Sequence, residues 1–138
     1  MKLYFDGSCG PKNPGDYACY AYVIKNDDQE LTRQNGIECQ GESATNNIAE
    51  YAGLMHGLEY IIENNLIKDH LEIFGDSQLV INQVNGDWKC KSSHLQVILN
   101  QVLKMLDQLD SWNATWVPRE QNSIADGLSK WQTVVNKK

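Results

Sequence analysis

A chain of 138 residues with 41% hydrophobic and 22% charged residues is long enough to bury one core, and it has no apolar run of bilayer length. That composition excludes a helical membrane protein and a low-complexity chain, and it leads to the expectation of a single domain over residues 1–138. A formal charge of −6 argues against a protein that holds nucleic acid through a basic surface alone.

Cys9, Cys19, Cys39 and Cys90 are scattered without a C-x-x-C pair, so reduced thiols are expected rather than a zinc site or a disulfide framework. The chain enters its first strand at once, with no charged-then-apolar leader, and a cytoplasmic location is expected. Without an export signal, Asn113-Ala114-Thr115 is read as a chance match to a glycosylation acceptor.

Lys2 to Ser8 reads as a buried strand that ends in turn chemistry, Asp6-Gly7. A loop from Gly10 to Asp16 leads to two further strands, Tyr17 to Lys25 and Leu31 to Gln40, which complete an antiparallel meander. From Thr45 the period turns helical, with Ile48, Tyr51, Ala52, Met55, Leu58, Ile62 and Leu66 on one face and Ser43 or Thr45 as the cap. Leu71 to Gly75 is a short buried strand, and Asp76-Ser77 starts a helix that Gly86 closes. His94 to Leu109 is a further helix, Trp112 to Val117 a last strand, and Ser123 with Asp126 has the spacing of a capping box. The final helix would turn Ile124, Leu128, Trp131 and Val135 inward. This order predicts an α/β fold: a mixed five-stranded sheet, three antiparallel strands then two parallel, with helices on both faces.

Four carboxylates stand at or near the ends of these elements: Asp6, Glu50, Asp76 and Asp126. Each has a plainer reading, as a turn residue, a helix-start acid, a helix cap or a capping-box acid. Together they fit a different chemistry, because phosphodiester hydrolysis uses oxygen ligands that hold two hard cations about 4 Å apart. Setting these four aside takes the formal charge from −6 to −2, which weakens the objection to a nucleic-acid substrate.

The segments Asp6-Gly7-Ser8, Thr45 to Tyr51, Asp76 to Val80, and Val117-Pro118-Arg119-Glu120 with Asn122, Ala125 and Asp126 resemble ribonuclease H of type 1, in that family's order and over nearly the whole chain. The resemblance implies the ribonuclease H-like fold and a metal-dependent endonuclease that cuts the RNA strand of an RNA/DNA hybrid, leaving 3′-hydroxyl and 5′-phosphate ends. It also implies two Mg²⁺ ions, replaceable by Mn²⁺: Asp6 would bridge both, Asp126 would join the water-activating one, and Glu50 with Asp76 would hold the other. Alternatives are a catalytically silent nucleic-acid binding module, or a nuclease acting on double-stranded RNA or DNA. No accessory tail is evident, and a monomer is expected.

By the same resemblance, Asn46, Asn47 and Gln78 would read the minor groove, while Asn13 and Thr45 would contact the DNA strand and its phosphates. Trp88, Lys89 and Lys91 would supply sugar stacking and phosphate contact; a core tryptophan with solvated lysines is the plainer alternative. Many bacterial relatives carry a basic protrusion near this point, and here only a short connection from Gly86 to Ser93 is present. Well-studied relatives also carry a histidine in the loop before the last aspartate, where this chain has Arg119-Glu120-Gln121. Arg119, beside Glu120, is the candidate to assist catalysis by forking onto a phosphate; His56, His70 and His94 lie elsewhere and read as ordinary side chains.

Overall fold

The first strand is the middle of the fold. In the computed structural model, which describes residues 1–135, β1 (Lys2–Gly10), β2 (Tyr17–Asn26) and β3 (Gln29–Gln40) form the expected antiparallel meander. Residues 136–138 of the expected domain lie outside the described part. On the other side of β1 runs β4 (Leu71–Gly75), parallel to it, and beyond that β5 (Trp112–Trp116), parallel to β4. The order β3-β2-β1-β4-β5 is the mixed five-stranded sheet read from the sequence.

One expectation fails within β1. The strand does not end at Asp6-Gly7 but stays paired with β2 through Gly10, opposite Tyr17. What ends there is the parallel ladder to β4, whose last pair is Phe5 with Gly75. The next residues along the two strands are Asp6 and Asp76, so register alone sets these two acids side by side.

Gly7 has a packing role in place of the expected turn. The long helix α1 (Asn46–Glu63) lies so close to β1 that a methyl group at Gly7 would overlap the Ala49 carbonyl carbon and the Glu50 nitrogen. One at Gly53 would come within 2.6 Å of the Asp6 carbonyl oxygen. Backbone therefore meets backbone, and Glu50 leaves its helix directly over the residue after Asp6. Below this contact, Leu3, Phe5, Ile24 and Ile73 from the sheet share one buried core with Tyr51, Leu54, Leu58 and Ile61 of α1 and with Leu95, Ile98, Leu99 and Val102 of α3 (Ser93–Leu106).

Caps set the helix starts. Thr45 Oγ1 accepts from the Ile48 N–H and caps α1, and Ser77 Oγ accepts from the Val80 N–H and caps α2 (Gln78–Val84). Because Ser77 is the cap, the Asp76 carboxylate is left free for another use.

The C-terminal helix differs from its expected form. It is two short helices, α4 (Ser123–Ser129) and α5 (Trp131–Val135), separated at Lys130, whose backbone is extended. The break has a local cause: Asn35 Nδ2 donates to the Leu128 carbonyl and Ser8 Oγ to the Ser129 carbonyl, so side chains of β3 and β1 satisfy the end of α4. No capping box forms at Ser123, which lies inside the helix after a 3-10 turn over Arg119–Asn122. The buried side of the pair is Ala125, Ser129 and Val134, while Ile124 is exposed. α4 packs on the face of β1 and β2 opposite α1, so helices cover both faces as expected.

Candidate active site

Asp6, Asp76 and Asp126 converge where the parallel ladder ends. Each offers a carboxylate oxygen, and the three oxygens lie within 4.8 Å of one another. β1 supplies the first, the link from β4 to α2 the second and the first turn of α4 the third. Asp6 is the most enclosed, 4% exposed; its Oδ1 accepts from the Gly7 N–H at 2.8 Å and its Oδ2 faces the Ser129 hydroxyl at 3.5 Å. Glu50 stands outside this triad but feels the charge of Asp76, and the nearby Ser77 hydroxyl favours its ionised form.

Like charges in a partly enclosed site raise one another's proton affinity. Burial, then the charge of Asp76, pushes the Asp6 carboxyl up to about 9, and burial with Asp76 takes Glu50 to about 7. Burial also raises Asp76, against hydrogen bonding from Asp6 and the charge of Arg119. Such a set of hard oxygen donors is stable as a fully ionised cluster only beside cations, so the residues present fit Mg²⁺ or Mn²⁺.

Two cations of the chain approach the triad loosely. Arg119 Nε is 3.8 Å from Asp76 Oδ2 and 3.9 Å from Asp126 Oδ1, with the side chain 72% exposed, and Lys130 Nζ is 3.5 Å from Asp126 Oδ1. These separations exceed hydrogen-bond length, so both cations remain available to an incoming anion. The segment that carries Arg119 is pinned by Asn122, buried, whose Nδ2 donates to the Phe5 carbonyl at 2.8 Å. Trp116 flanks Asp76, its indole N–H donating to the Asp76 carbonyl at 3.1 Å.

Residues 5–132 match the family model described as reverse transcriptase-like. The crystal structure of ribonuclease H1 from Halobacterium salinarum superposes with a TM-score of 0.82 at 31% identity, covering 92% of each chain. This chain belongs to the ribonuclease H family. The N-terminal ribonuclease H domain of a Mycobacterium tuberculosis protein superposes with a TM-score of 0.81 at 30% identity, over 96% of this chain and 94% of that one. A third structure, LC11 ribonuclease H1 in complex with an RNA/DNA hybrid, gives 0.79 at 27% identity over 92% and 91%. Full-length relatives are longer: the chain spans 35% of the mycobacterial bifunctional protein and 62% of the Halobacterium ribonuclease HI, at 34% and 36% identity.

Around the ribonuclease H triad, the other expected residues divide into groups. Asn46, Asn47 and Gln78 are exposed at the starts of α1 and α2; Asn46 Oδ1 is taken by the Cys9 N–H at 2.8 Å, which leaves its amide donors free. Thr45 serves as the cap, the plainer of its two readings, and lines with Asn47, Ser92 and His94 a cavity of about 300 Å³. Asn13 is exposed in the loop between β1 and β2. Trp88 is 47% exposed, so it is not a core residue, and Lys89 and Lys91 are exposed beside it. Their connection is anchored by Gln83, which accepts from the buried Tyr51 hydroxyl and donates to the Lys89 carbonyl. Glu120 is exposed and makes no ion pair among the described residues.

Sequence reading gave Ser129, Lys130 and Trp116 no place in the site, read Ser77 only as a helix start and read His94 as an ordinary side chain. Only Lys130 carried a usable signal, four residues after Asp126 and therefore on the same helical side. Among the described residues, no helix is long and apolar enough to cross a membrane, and all four cysteines are free.

Proposed function

We propose that this chain is a metal-dependent endoribonuclease that hydrolyses the RNA strand of RNA/DNA hybrids and leaves 3′-hydroxyl and 5′-phosphate ends. The convergence of Asp6, Asp76 and Asp126, with Glu50 alongside, carries the reading. It is supported by a relative whose structure was solved with an RNA/DNA hybrid. Asp6, Asp126, Glu50 and Asp76 would hold two Mg²⁺ ions, which supply an activated water at neutral pH and offset charge on the leaving oxygen.

The chain's own residues do the placing. Asp6 is fixed by the Gly7 N–H, and Asn122 ties the Arg119-to-Asp126 segment to the strand that carries Asp6, so the acids keep their spacing without substrate. Arg119, loosely held, turns from Asp76 and Asp126 to fork onto the scissile phosphate. Asn46, Asn47 and Gln78 donate to base edges of the RNA strand and to its 2′-hydroxyls, which DNA lacks. Asn13 and Thr45 hold the DNA strand, and Trp88, Lys89 and Lys91 extend the grip along the backbone. We place this activity in a cytoplasmic monomer.

The test is cleavage of labelled hybrid, DNA duplex and RNA duplex with Mg²⁺, comparing the intact chain with Asp6→Asn. The intact chain should cut only RNA within the hybrid, and Asp6→Asn should lose at least about a thousandfold in rate. Hybrid binding without cleavage in either Mg²⁺ or Mn²⁺ would make the chain a binding module.

A further inference from the structure

We propose that Trp116 is a positioning residue for the acid cluster: its indole N–H fixes the main chain at Asp76 and so aims that carboxylate at those of Asp6 and Asp126. This role rests on the proposed use of Asp76 to hold a divalent cation.

Regular hydrogen bonding in the sheet stops one residue short of Asp76. The ladder from β1 to β4 ends at Phe5 with Gly75, and the ladder from β4 to β5 ends at Gly75 with Trp116. The Val117 N–H takes the Gly75 carbonyl at 2.9 Å, and beyond Asp76 the bonding of α2 begins at the Ser77 carbonyl, which accepts from the Ile81 N–H at 3.1 Å. The Asp76 carbonyl lies between the two systems and belongs to neither. The Trp116 indole N–H meets it at 3.1 Å, so a side chain adds one more bond where the ladder has ended. Holding that carbonyl holds the peptide plane after Asp76, and with it the direction in which the carboxylate leaves the chain.

The choice of side chain agrees with this role. Trp112 and Ala114, on the same face of β5 by strand alternation, pack against the core, whereas Trp116 is 42% exposed. A phenylalanine would supply the little packing that remains; what it lacks is the N–H. The indole is also an uncharged donor. It steadies Asp76 without offsetting the negative charge that a divalent cation needs, whereas Arg119, 3.8 Å from Asp76 Oδ2, does offset it. Groups that orient a metal ligand in this way are typically worth roughly 10–100-fold in metal affinity or activity.

The probe is Mn²⁺, titrated into the intact chain and two variants and followed by water proton relaxation. Trp116→Phe keeps a ring but has no donor. Trp116→His keeps a donor, because Nε2 has the place in the imidazole ring that Nε1 has in the indole, and at pH about 8 that ring is neutral. Trp116→Phe should bind Mn²⁺ about tenfold more weakly, while Trp116→His should stay within about threefold of the intact chain. In hybrid cleavage Trp116→Phe should lose kcat with KM nearly unchanged. Without metal, the Trp116 indole proton should exchange with solvent more slowly than that of Trp88, which is similarly exposed at 47%. Equal Mn²⁺ affinity in all three proteins, equal losses in both variants, or indole protons that exchange alike would each overturn the proposal. An intact chain that itself binds no Mn²⁺ is a distinct result, and it would overturn the metal-holding role of Asp76 and this proposal with it.

Discussion

On one side of β1, Leu3, Phe5 and Gly7 lie in the core or directly under α1, where a single added methyl group has nowhere to go; on the other, Asp6 turns a carboxylate toward two more. The first side is stabilised by its packing. The second holds like charges together at a cost that burial makes larger. The two are coupled, because the tight side is what allows the strained side to persist: Asp6 and Gly7 are consecutive, and Glu50 is delivered by the helix that Gly7 admits. The contrast teaches that the packing of α1 on β1 is part of what builds the candidate active site.

The largest effect should come from breaking the tight side. Gly7→Ala forces a Cβ into the α1 backbone and should destabilise the protein by about 3 kcal/mol or more. Rescued by low temperature, the variant should still cleave hybrid poorly, since Glu50 is displaced; normal activity in the folded variant would separate the two sides. Asn122→Ala should cost about 1–3 kcal/mol, because the Phe5 carbonyl loses its donor, and it should lower kcat more than hybrid affinity. Equal stability in urea denaturation would remove Asn122 as the pin.

Smaller effects should appear farther from both sides. Lys89→Ala with Lys91→Ala should leave kcat nearly unchanged and lower the slope of log affinity against log salt by about 2, one for each phosphate that is no longer neutralised. A slope equal to that of the intact protein would place both lysines outside the interface. His56→Gln should show the smallest change. The hydrogen bond to Glu38 raises the His56 pKa despite burial, so its stabilisation is complete below the ordinary value of 6.5 and fades as pH rises through the folded value. The stability gap between intact protein and variant should therefore shrink from pH about 5.5 to pH about 9, remaining under about 1 kcal/mol for a partly exposed pair. A gap that does not change with pH would mean that His56 acts through its stacking on Tyr20.

Strand order, helix α1 and the four acids were legible because each leaves a local mark: Tyr4-Phe5 for a buried strand, Tyr51 and Leu58 at helical spacing, acids beside strand and helix ends. Asp6-Gly7 misled because Gly serves turns and close approaches alike, and only the position of α1 decides which. The broken C-terminal helix was illegible for a similar reason, since Asn35 and Ser8, far away in sequence, terminate α4. The capping box suggested by the Ser123-to-Asp126 spacing does not form, and the Asp126 carboxylate lies instead with those of Asp6 and Asp76. Ser129 and Trp116 escaped notice because what they touch is set by the tertiary fold.

Calorimetry on the intact chain and Asp6→Asn, each in EDTA and in Mg²⁺, tests the coupling of the two sides most directly. An acid whose folded pKa is raised to about 9 loses stability as pH climbs above its ordinary value, so at pH about 7.5 the metal-free protein bears that cost. Asp6→Asn in EDTA should therefore melt higher than the intact chain, by about 4–8 °C for 1–2 kcal/mol, while Mg²⁺ should raise the melting point of the intact chain alone. An Asp6→Asn variant that melts lower in EDTA, together with an intact chain indifferent to Mg²⁺, would contradict a cluster held under repulsion for a divalent cation.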